Sequence, residues 1–151
     1  MRIAVISSTI FPSPPSGYAG LELVAHQCAE GLQERGHDVT LYAPDGSHSQ
    51  TCKIRPFGPP GAISEQQAYA NYKDELADYD VICDHSWGKN SYIGKMEGKV
   101  KAPILGVLHA PVNTMYQTLP PVEKPCMVCI SRDQAAHFEA LFDRPCRVAH
   151  N

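Results

Sequence analysis

The chain has 151 residues, 43% of them hydrophobic and 19% charged, and a formal net charge of −3 at pH 7. This composition excludes a largely disordered chain, and the lack of a basic run excludes a typical nucleic-acid-binding protein. The apolar runs have the length of strands rather than membrane spans, and the first residues lack the sections of a signal peptide. We therefore expect a single cytoplasmic domain without a transmembrane segment.

The amino-terminal part predicts a strand, a loop, a helix and a second strand. Residues 3–7 form a β-branched run without polar alternation, which is typical of a strand covered on both faces. Proline and glycine crowd the loop at 11–20. Apolar residues then recur at helical spacing over 21–32, with Glu22 on the opposite, polar face, and a strand follows at 38–43.

The middle of the chain loosens before the pattern resumes. Residues 44–61 are rich in turn residues and contain a predicted short edge strand around 52–55. Ser64 is a predicted N-cap, and Gln67 at the third helical position completes a capping box. The helix that follows is expected to run to about Ala77.

The second half predicts more strands, and Ser131 is the predicted N-cap of a helix that follows the third of them. These strands lie at 81–84, 104–108, 127–130 and 147–149. Strands that alternate with helices form parallel sheets with right-handed crossovers. The predicted fold class is α/β: a doubly wound, Rossmann-like, mostly parallel sheet of about seven strands with helices on both faces.

The six cysteines do not follow zinc-finger spacing. Cys126 and Cys129 form a C-x-x-C, but residues three apart in a strand point to opposite faces, which disfavours shared chelation. The remaining cysteines occupy predicted core positions: Cys28, Cys52, Cys83 and Cys146. We therefore expect reduced, buried thiols and no metal.

Polar side chains follow several predicted strands, at the edge where an open parallel sheet binds ligands. Ser7, Ser8 and the glycine loop follow the first strand, and three later strands contribute histidines. The residues that follow the later strands are His85 and Ser86, His109, Ser131 and Arg132, and His150 and Asn151. Because the carboxyl ends of parallel strands share one edge, we expect these groups to converge there.

Several segments, in this order, carry a family resemblance. They are 15–22, 34–43, the D-V-I-C-D-H-S run at 80–86, the C-I-S-R-D-Q run at 129–134, and His150-Asn151 at the end. Together they resemble the amino-terminal domain of family 4 glycosyltransferases, which have the GT-B fold and retain the anomeric configuration. The third and fourth segments are similar to the family's D-V-I-H-x-H and A-I-S-x-x-Q motifs, and the last to the start of its H-N-G turn.

The resemblance implies that residues 1–151 form the acceptor-side half of a glycosyltransferase. A carboxy-terminal domain, absent from these residues, would hold most of the nucleotide-sugar donor, so we expect the chain alone to be inactive. Expected partners are that domain, the donor, and a sugar, lipid-linked or small-molecule acceptor, but no nucleic acid; peripheral membrane contact is left open. No cofactor or metal is expected, because the nucleotide sugar is a co-substrate.

The glycine loop and His109 are the strongest predicted site features. Gly17 and Gly20 precede the first helix, where backbone N–H groups and the helix dipole favour an anion such as a diphosphate. Ala19 replaces the first member of the family's usual glycine pair, and a plain connecting loop is the structural alternative. By resemblance, His109 lies near the transferred sugar and is the predicted catalytic residue, acting electrostatically rather than as the principal base.

The other predicted ligand contacts have weaker signals. His85, Ser86 and Trp87 form a predicted acceptor platform, although the indole could instead anchor a helix. Asp84 could orient His85 or His109, although an aspartate at the end of a strand is also a common turn former. Three residues complete the predicted ligand contacts: Ser131, Arg132 and Asn151.

The sequence also has features in common with two other classes of protein. One is a non-catalytic ligand-binding or interaction module that pairs with a separate carboxy-terminal half. The other is a dinucleotide-binding oxidoreductase domain. The oxidoreductase is disfavoured because the first loop lacks G-x-G-x-x-G and the strand at 38–43 does not end in an acidic residue.

Overall fold

The computed structural model describes residues 1–110 and 126–149. These residues form seven strands, four α-helices and one 3-10 helix. In chain order the elements are β1 (Arg2–Ile6), α1 (Gly20–Glu34), β2 (Asp38–Ala43), β3 (Lys53–Pro56), α2 (Glu65–Tyr72), the 3-10 helix (Lys73–Asp78), β4 (Val81–Asp84), α3 (Ser91–Met96), β5 (Ile104–Leu108), β6 (Cys126–Cys129), α4 (Arg132–Phe142) and β7 (Arg147–Val148).

All seven described strands belong to one sheet with the order β3-β2-β1-β4-β5-β6-β7. Every neighbouring pair is parallel. The chain runs outward from β1 in one direction to β3, then returns to the other side of β1 and continues from β4 to β7. The predicted doubly wound α/β sheet is confirmed. The strand order reverses between β1 and β4, which is where such sheets form ligand crevices.

Apolar side chains cover both faces of the sheet and form two separate cores. Ile3 and Val5 of β1 pack with Ala25 and Ala29 of α1 on one face. The larger core on the opposite face contains Ala4 and Ile6 of β1, Tyr42 of β2, and residues of α2, α3 and α4. Each fully buried Ile or Val contributes roughly 1.5–3 kcal/mol. A strand buried on both faces has no polar alternation, so the apolar run in β1 predicted its central place correctly.

Helix α2 begins as predicted and ends early. Ser64 Oγ accepts a hydrogen bond from the Gln67 N–H (3.2 Å), and Gln67 Oε1 accepts one from the Ser64 N–H (2.8 Å), which confirms the capping box. The α-helix ends at Tyr72 and continues as a 3-10 helix to Asp78, where an α-helix to about Ala77 was predicted. The tighter 3-10 winding buries Leu76 in the same core as Tyr72.

The cysteines depart from the prediction of reduced, buried thiols. Cys129 and Cys146 are joined by a disulfide, with their Cα atoms 6.3 Å apart. Cys129 ends β6, and Cys146 lies just before β7, which pairs with β6, so the neighbouring strands bring the two side chains together. Cys126 is a free, exposed thiol, whereas Cys52 and Cys83 are free and buried as predicted.

None of the helices in the described part of the chain is long and apolar enough to cross a membrane.

Candidate active site

A pocket of about 400 Å³ opens at the carboxyl edge of the sheet, above the point where the strand order reverses. The loop after β1 and the first turn of α1 form one wall, and Trp87, His109 and Ile130 form the other. Three large hydrophobic side chains in this lining are exposed: Ile10, Phe11 and Tyr18. A concave, mostly apolar lining with a few polar groups, here Glu22 and His109, is typical of a ligand-binding site.

His85 and His109 lie in contact at this edge because the strands that carry them are neighbours. His85 follows β4, His109 follows β5, and Cys83 pairs with Leu105 in the sheet. The two ring atoms His85 Nδ1 and His109 Nε2 are 2.9 Å apart. The backbone N–H of His85 donates to the Ile6 carbonyl at 2.9 Å, which extends the β1–β4 ladder to this residue. The predicted convergence of histidines at the strand ends is therefore found for this pair.

Both imidazoles are neutral at physiological pH. His85 is 2% exposed, and burial lowers its pKa well below the ordinary value. Burial also lowers the pKa of His109 from 6.5 to about 4, and the nearby charge of Lys89 acts in the same direction. A neutral pair shares a single proton across the 2.9 Å contact, so one ring donates and the other accepts.

A buried polar cluster fixes the loop between β4 and α3. The carboxylate of Asp84, which is fully buried, accepts hydrogen bonds from the Ser86 N–H (2.9 Å), from the Ser86 hydroxyl (2.5 Å) and from the Ser91 hydroxyl. These bonds commit the carboxylate to the loop, so Asp84 is a turn former, the second of its two predicted roles, and does not orient His85 or His109. Lys89 is also buried, and its Nζ donates to the Ser86 carbonyl. Burial lowers the pKa of Lys89, while the Asp84 and Glu65 carboxylates oppose that shift.

Glu65 holds the same loop from the side of α2. Its carboxylate accepts hydrogen bonds from the backbone N–H groups of Trp87 (2.8 Å) and Gly88. Burial raises the pKa of Glu65, and the two N–H donors act against that rise. Asp84 and Glu65 thus hold the loop that places Trp87 in the pocket lining. No periodic pattern indicates this cluster, because its members belong to a short loop and to helix starts.

The glycines at the start of α1 leave open space. A Cβ atom built on Gly17 or Gly20 would have no neighbouring atom within 4 Å, and neither residue has a positive φ. Ala19 precedes the helix with an extended backbone (φ −161°), so replacing the family's glycine there causes no strain. No side chain caps this end of α1. Its first-turn N–H groups therefore keep their capacity to bind a ligand.

Glu22 belongs to the pocket and not to the polar outer face of α1, where the periodicity placed it. The residue is 4% exposed and lines the pocket, and its carboxylate accepts a hydrogen bond from the Ser8 hydroxyl. The Ser13 hydroxyl donates to the Glu22 carbonyl at 2.8 Å. A signal was present in the sequence, since Glu22 directly follows the glycine loop in the first turn of the helix.

The predicted ligand contacts fall into different places. Gly20, Trp87 and His109 line the pocket together, whereas Gly17 is exposed outside its lining. His85 and Ser86 are buried beneath it, and the hydroxyl of Ser86 is already bonded to Asp84, so its position does not support a direct acceptor contact.

The predicted contacts near α4 lie beside this pocket. Ser131 lines a second pocket of about 270 Å³ that shares His109 and Ile130 with the first, and its hydroxyl caps α4 by accepting from the Gln134 N–H at 3.1 Å. Arg132 is exposed and belongs to neither lining. Asn151 lies outside the described residues.

Metal-binding side chains are not grouped in the part of the chain that the structure describes. Within residues 1–110 and 126–149, no cluster of three or more His, Cys, Asp or Glu side chains could hold a metal ion.

Solved structures similar to this chain place the fold in the GT-B class. Sucrose-phosphate synthase (tll1590) from Thermosynechococcus elongatus aligns with a TM-score of 0.66 at 14% identity, over 99% of this chain and 47% of that one. AviGT4, a glycosyltransferase involved in avilamycin A biosynthesis, aligns with a TM-score of 0.63 at 24% identity, over 97% of this chain and 41% of that one. The chain therefore has the Rossmann-like α/β fold of one half of a GT-B protein and spans less than half the length of either structure.

The family follows from the sequence. The profile of Glycosyltransferase Family 4 matches residues 18–151, so the chain belongs to this family. No curated protein matches the chain.

Proposed function

We propose that this domain is the acceptor-side half of a retaining glycosyltransferase that transfers a sugar from a nucleotide-sugar donor to a hydroxyl-bearing acceptor. The observation that carries the proposal is the neutral, half-buried His109, which shares one pocket with the uncapped start of α1 and with Trp87. Membership of the glycosyltransferase family supports the reaction class.

The charge state of His109 suits a residue beside a transferred sugar. Positive charge develops at the anomeric carbon during transfer, and a protonated imidazole close to it would raise the barrier. A neutral imidazole, with its pKa lowered to about 4, instead offers a fixed dipole and a hydrogen bond. Removing a preorganised group of this kind lowers the rate by about 10²–10³-fold.

The start of α1 suits the diphosphate of the donor. Backbone N–H groups at an uncapped helix start attract anions, and Gly20 leaves the space that a phosphate needs to approach the backbone. None of the described residues that line the pocket has a positively charged side chain, so this helix end is the main attractive element for an anion there.

Trp87 and Glu22 suit a sugar ring in the same pocket. An indole stacks on the C–H face of a sugar, and a carboxylate accepts hydrogen bonds from its hydroxyl groups. Because Glu22 lies within this lining, we place a neutral hydroxyl-bearing group beside it and the phosphates beside the Gly20 N–H.

The proposal extends to the complete protein. A carboxy-terminal domain would hold most of the donor, residues 1–151 alone would be inactive, and no metal cofactor would be needed. The coverage of less than half of two similar structures supports a partner domain. Four free cysteines, Cys28, Cys52, Cys83 and Cys126, support a cytoplasmic location, whereas the Cys129–Cys146 disulfide does not.

The test is His109→Ala in the complete protein, assayed for sugar transfer. We expect kcat/KM to fall by about 10²–10³-fold with the far-ultraviolet circular dichroism spectrum unchanged. His37→Ala is the matched control, since His37 precedes β2 at the opposite edge of the sheet. Unchanged transfer in His109→Ala would remove the site assignment. A wild-type protein that binds sugars without transferring them would favour the non-catalytic module.

A further inference from the structure

We propose that His85 is a positioning residue for His109, and that it donates its Nδ1–H to His109 Nε2 and thereby fixes His109 as the Nδ1–H tautomer. The inference rests on the proposed function for its catalytic meaning, but the tautomer itself does not. It assigns to His85 a role different from the acceptor contact that its sequence position predicted.

The geometry leaves two arrangements for the shared proton. His85 Nδ1 and His109 Nε2 are 2.9 Å apart, which is a hydrogen-bond distance between two ring nitrogens. Since both rings are neutral, each carries one proton, and the contact holds one of them. Either His85 donates from Nδ1 or His109 donates from Nε2.

The surroundings of the other His85 nitrogen decide between these arrangements. His85 Nε2 is buried and has no hydrogen-bond partner. His85 lines a groove on the α1 face of the sheet with apolar side chains such as Leu105 and Val128. Gln27, Cys28 and Cys83 also line this groove, but none of them forms a hydrogen bond to His85 Nε2. If His109 were the donor, His85 would carry its proton on Nε2 and a buried N–H would lack an acceptor.

An unsatisfied N–H is the more unfavourable of the two defects. Buried N–H groups without a partner are rarer in proteins than acceptors with an unused lone pair. The arrangement in which His85 Nδ1 carries the proton leaves only an unused lone pair at the buried Nε2. His85 is therefore the donor, and His109 Nε2 is the acceptor.

This assignment determines what His109 can do for a ligand. Its Nε2 is occupied by His85, so the nitrogen that remains is Nδ1, and Nδ1 carries a proton. His109 then acts as a hydrogen-bond donor to a hydroxyl or phosphate oxygen and cannot accept a proton at that atom. The principal base for the acceptor hydroxyl must be another group, and His85 holds the His109 ring in the orientation required for donation.

The experiment measures the tautomers directly in the complete protein labelled with ¹⁵N at the histidine rings. Long-range ¹H–¹⁵N spectra at pH 7, with assignments from the His85→Leu and His109→Ala variants, are expected to show the proton on Nδ1 of both rings. A proton on Nε2 of His85 or of His109 in the wild-type protein would overturn the proposal. The variants serve only to assign the two rings, and the tautomers themselves are read from the wild-type spectrum.

Two variants separate positioning from bulk packing. His85→Asn keeps an amide N–H close to the place of Nδ1, whereas His85→Leu removes the donor and fills the site. We expect the Nδ1–H tautomer of His109 to persist in the His85→Asn variant and to be lost in the His85→Leu variant. We expect kcat/KM to fall about 10–100-fold in His85→Leu and to recover most of that loss in His85→Asn. Equal losses in both variants, with the tautomer unchanged, would contradict the positioning role.

The two proposals can fail separately. If the wild-type protein shows the predicted tautomers but transfers no sugar, the proposed function fails and the hydrogen bond from His85 to His109 stands. If transfer depends on His109 while its ring carries the proton on Nε2, the proposed function stands and this inference fails.

Discussion

At the scale of single residues, the imidazole of His109 has lost its charge because the surrounding protein replaces water and because Lys89 is nearby. Burial also lowers the pKa of His85 well below its ordinary value. Neutral histidines in the folded state couple stability to pH, since the unfolded chain can protonate them and the folded chain resists it.

We therefore expect the free energy of unfolding to fall as the pH drops from 6.5 towards 4. The pKa of His109 is about 4 when folded and 6.5 when unfolded, so the unfolded state binds more protons in this window. Above pH 6.5 the free energy of unfolding includes a contribution of about 3 kcal/mol from His109, and this contribution is lost by about pH 4. Urea unfolding at a series of pH values measures it. His109→Asn should show a smaller decrease over the same window, and an identical decrease in both proteins would contradict the neutral, buried imidazole.

Asp84 is a structural acceptor, and its replacement should destabilise the fold. Asp84→Ala would leave the Ser86 N–H and the hydroxyls of Ser86 and Ser91 without their shared acceptor in a buried site. At about 1–3 kcal/mol for each unsatisfied group, we expect a loss of roughly 3 kcal/mol or more in the free energy of unfolding. Asp45→Ala, at an exposed position, is the control and should change it by less than about 0.5 kcal/mol. Equal stability of the two variants would show that the cluster does not hold this loop.

At the scale of elements, the open space at the start of α1 makes Gly20 a position where bulk affects a ligand more than the fold. A Val side chain there would meet no protein atom within 4 Å of its Cβ, so the thermal midpoint should be nearly unchanged. In the complete protein we expect the donor KM to rise about tenfold or more, equivalent to about 1.4 kcal/mol, because the side chain occupies the phosphate approach. Gly20→Ala should give a smaller rise. If Gly20→Val and the wild-type protein have the same donor KM, the glycine loop only connects β1 to α1.

Ser131 both caps α4 and lines a pocket, so its effect on stability can be compared with its effect on ligand binding. Ser131→Ala removes the hydrogen bond to the Gln134 N–H and should lower the free energy of unfolding by about 1 kcal/mol. Ser64→Ala removes the equivalent bond at α2 and should cost a similar amount. Only Ser131 lines a pocket beside His109, so a rise in KM confined to Ser131→Ala would support its predicted ligand contact. Matching KM values in the two variants would show that Ser131 caps α4 and does not contact the ligand.

Much of the fold could be predicted from local patterns, because each strand and the longer helices carry their own signal. The buried run of β1, the periodic stripe of α1 and the cap at Ser64 are examples. Helix α3 was missed, since six residues from Ser91 to Met96 are too few for a helical period to show. The change from α2 to a 3-10 helix was also missed, because it depends on packing of Leu76 into the core.

The site was predictable only in part, because its decisive contacts join distant segments. Strand order brings His85 and His109 together, and no local pattern reports the contact between them. Glu22 was assigned to the wrong face, since helical periodicity does not reveal that Ser8 supplies its partner. The Cys129–Cys146 disulfide likewise depends on the pairing of β6 with β7.

At the scale of the whole molecule, the reversal of strand order next to β1 gathers the site. The carboxyl ends of β1, β4 and β5 lie side by side, so Glu22, Trp87 and His109 meet at one pocket although they are far apart in the sequence. Open parallel sheets bind ligands at this edge, and the proposed function locates sugar transfer there.

A crystal structure of the complete protein with its nucleotide-sugar donor would show whether this pocket holds the reacting groups. We expect a diphosphate at the N–H groups of Gly20 and a sugar hydroxyl or phosphate oxygen within hydrogen-bond distance of His109 Nδ1, beside Trp87. A donor bound away from this edge, with His109 and the start of α1 untouched by the ligand, would contradict this expectation.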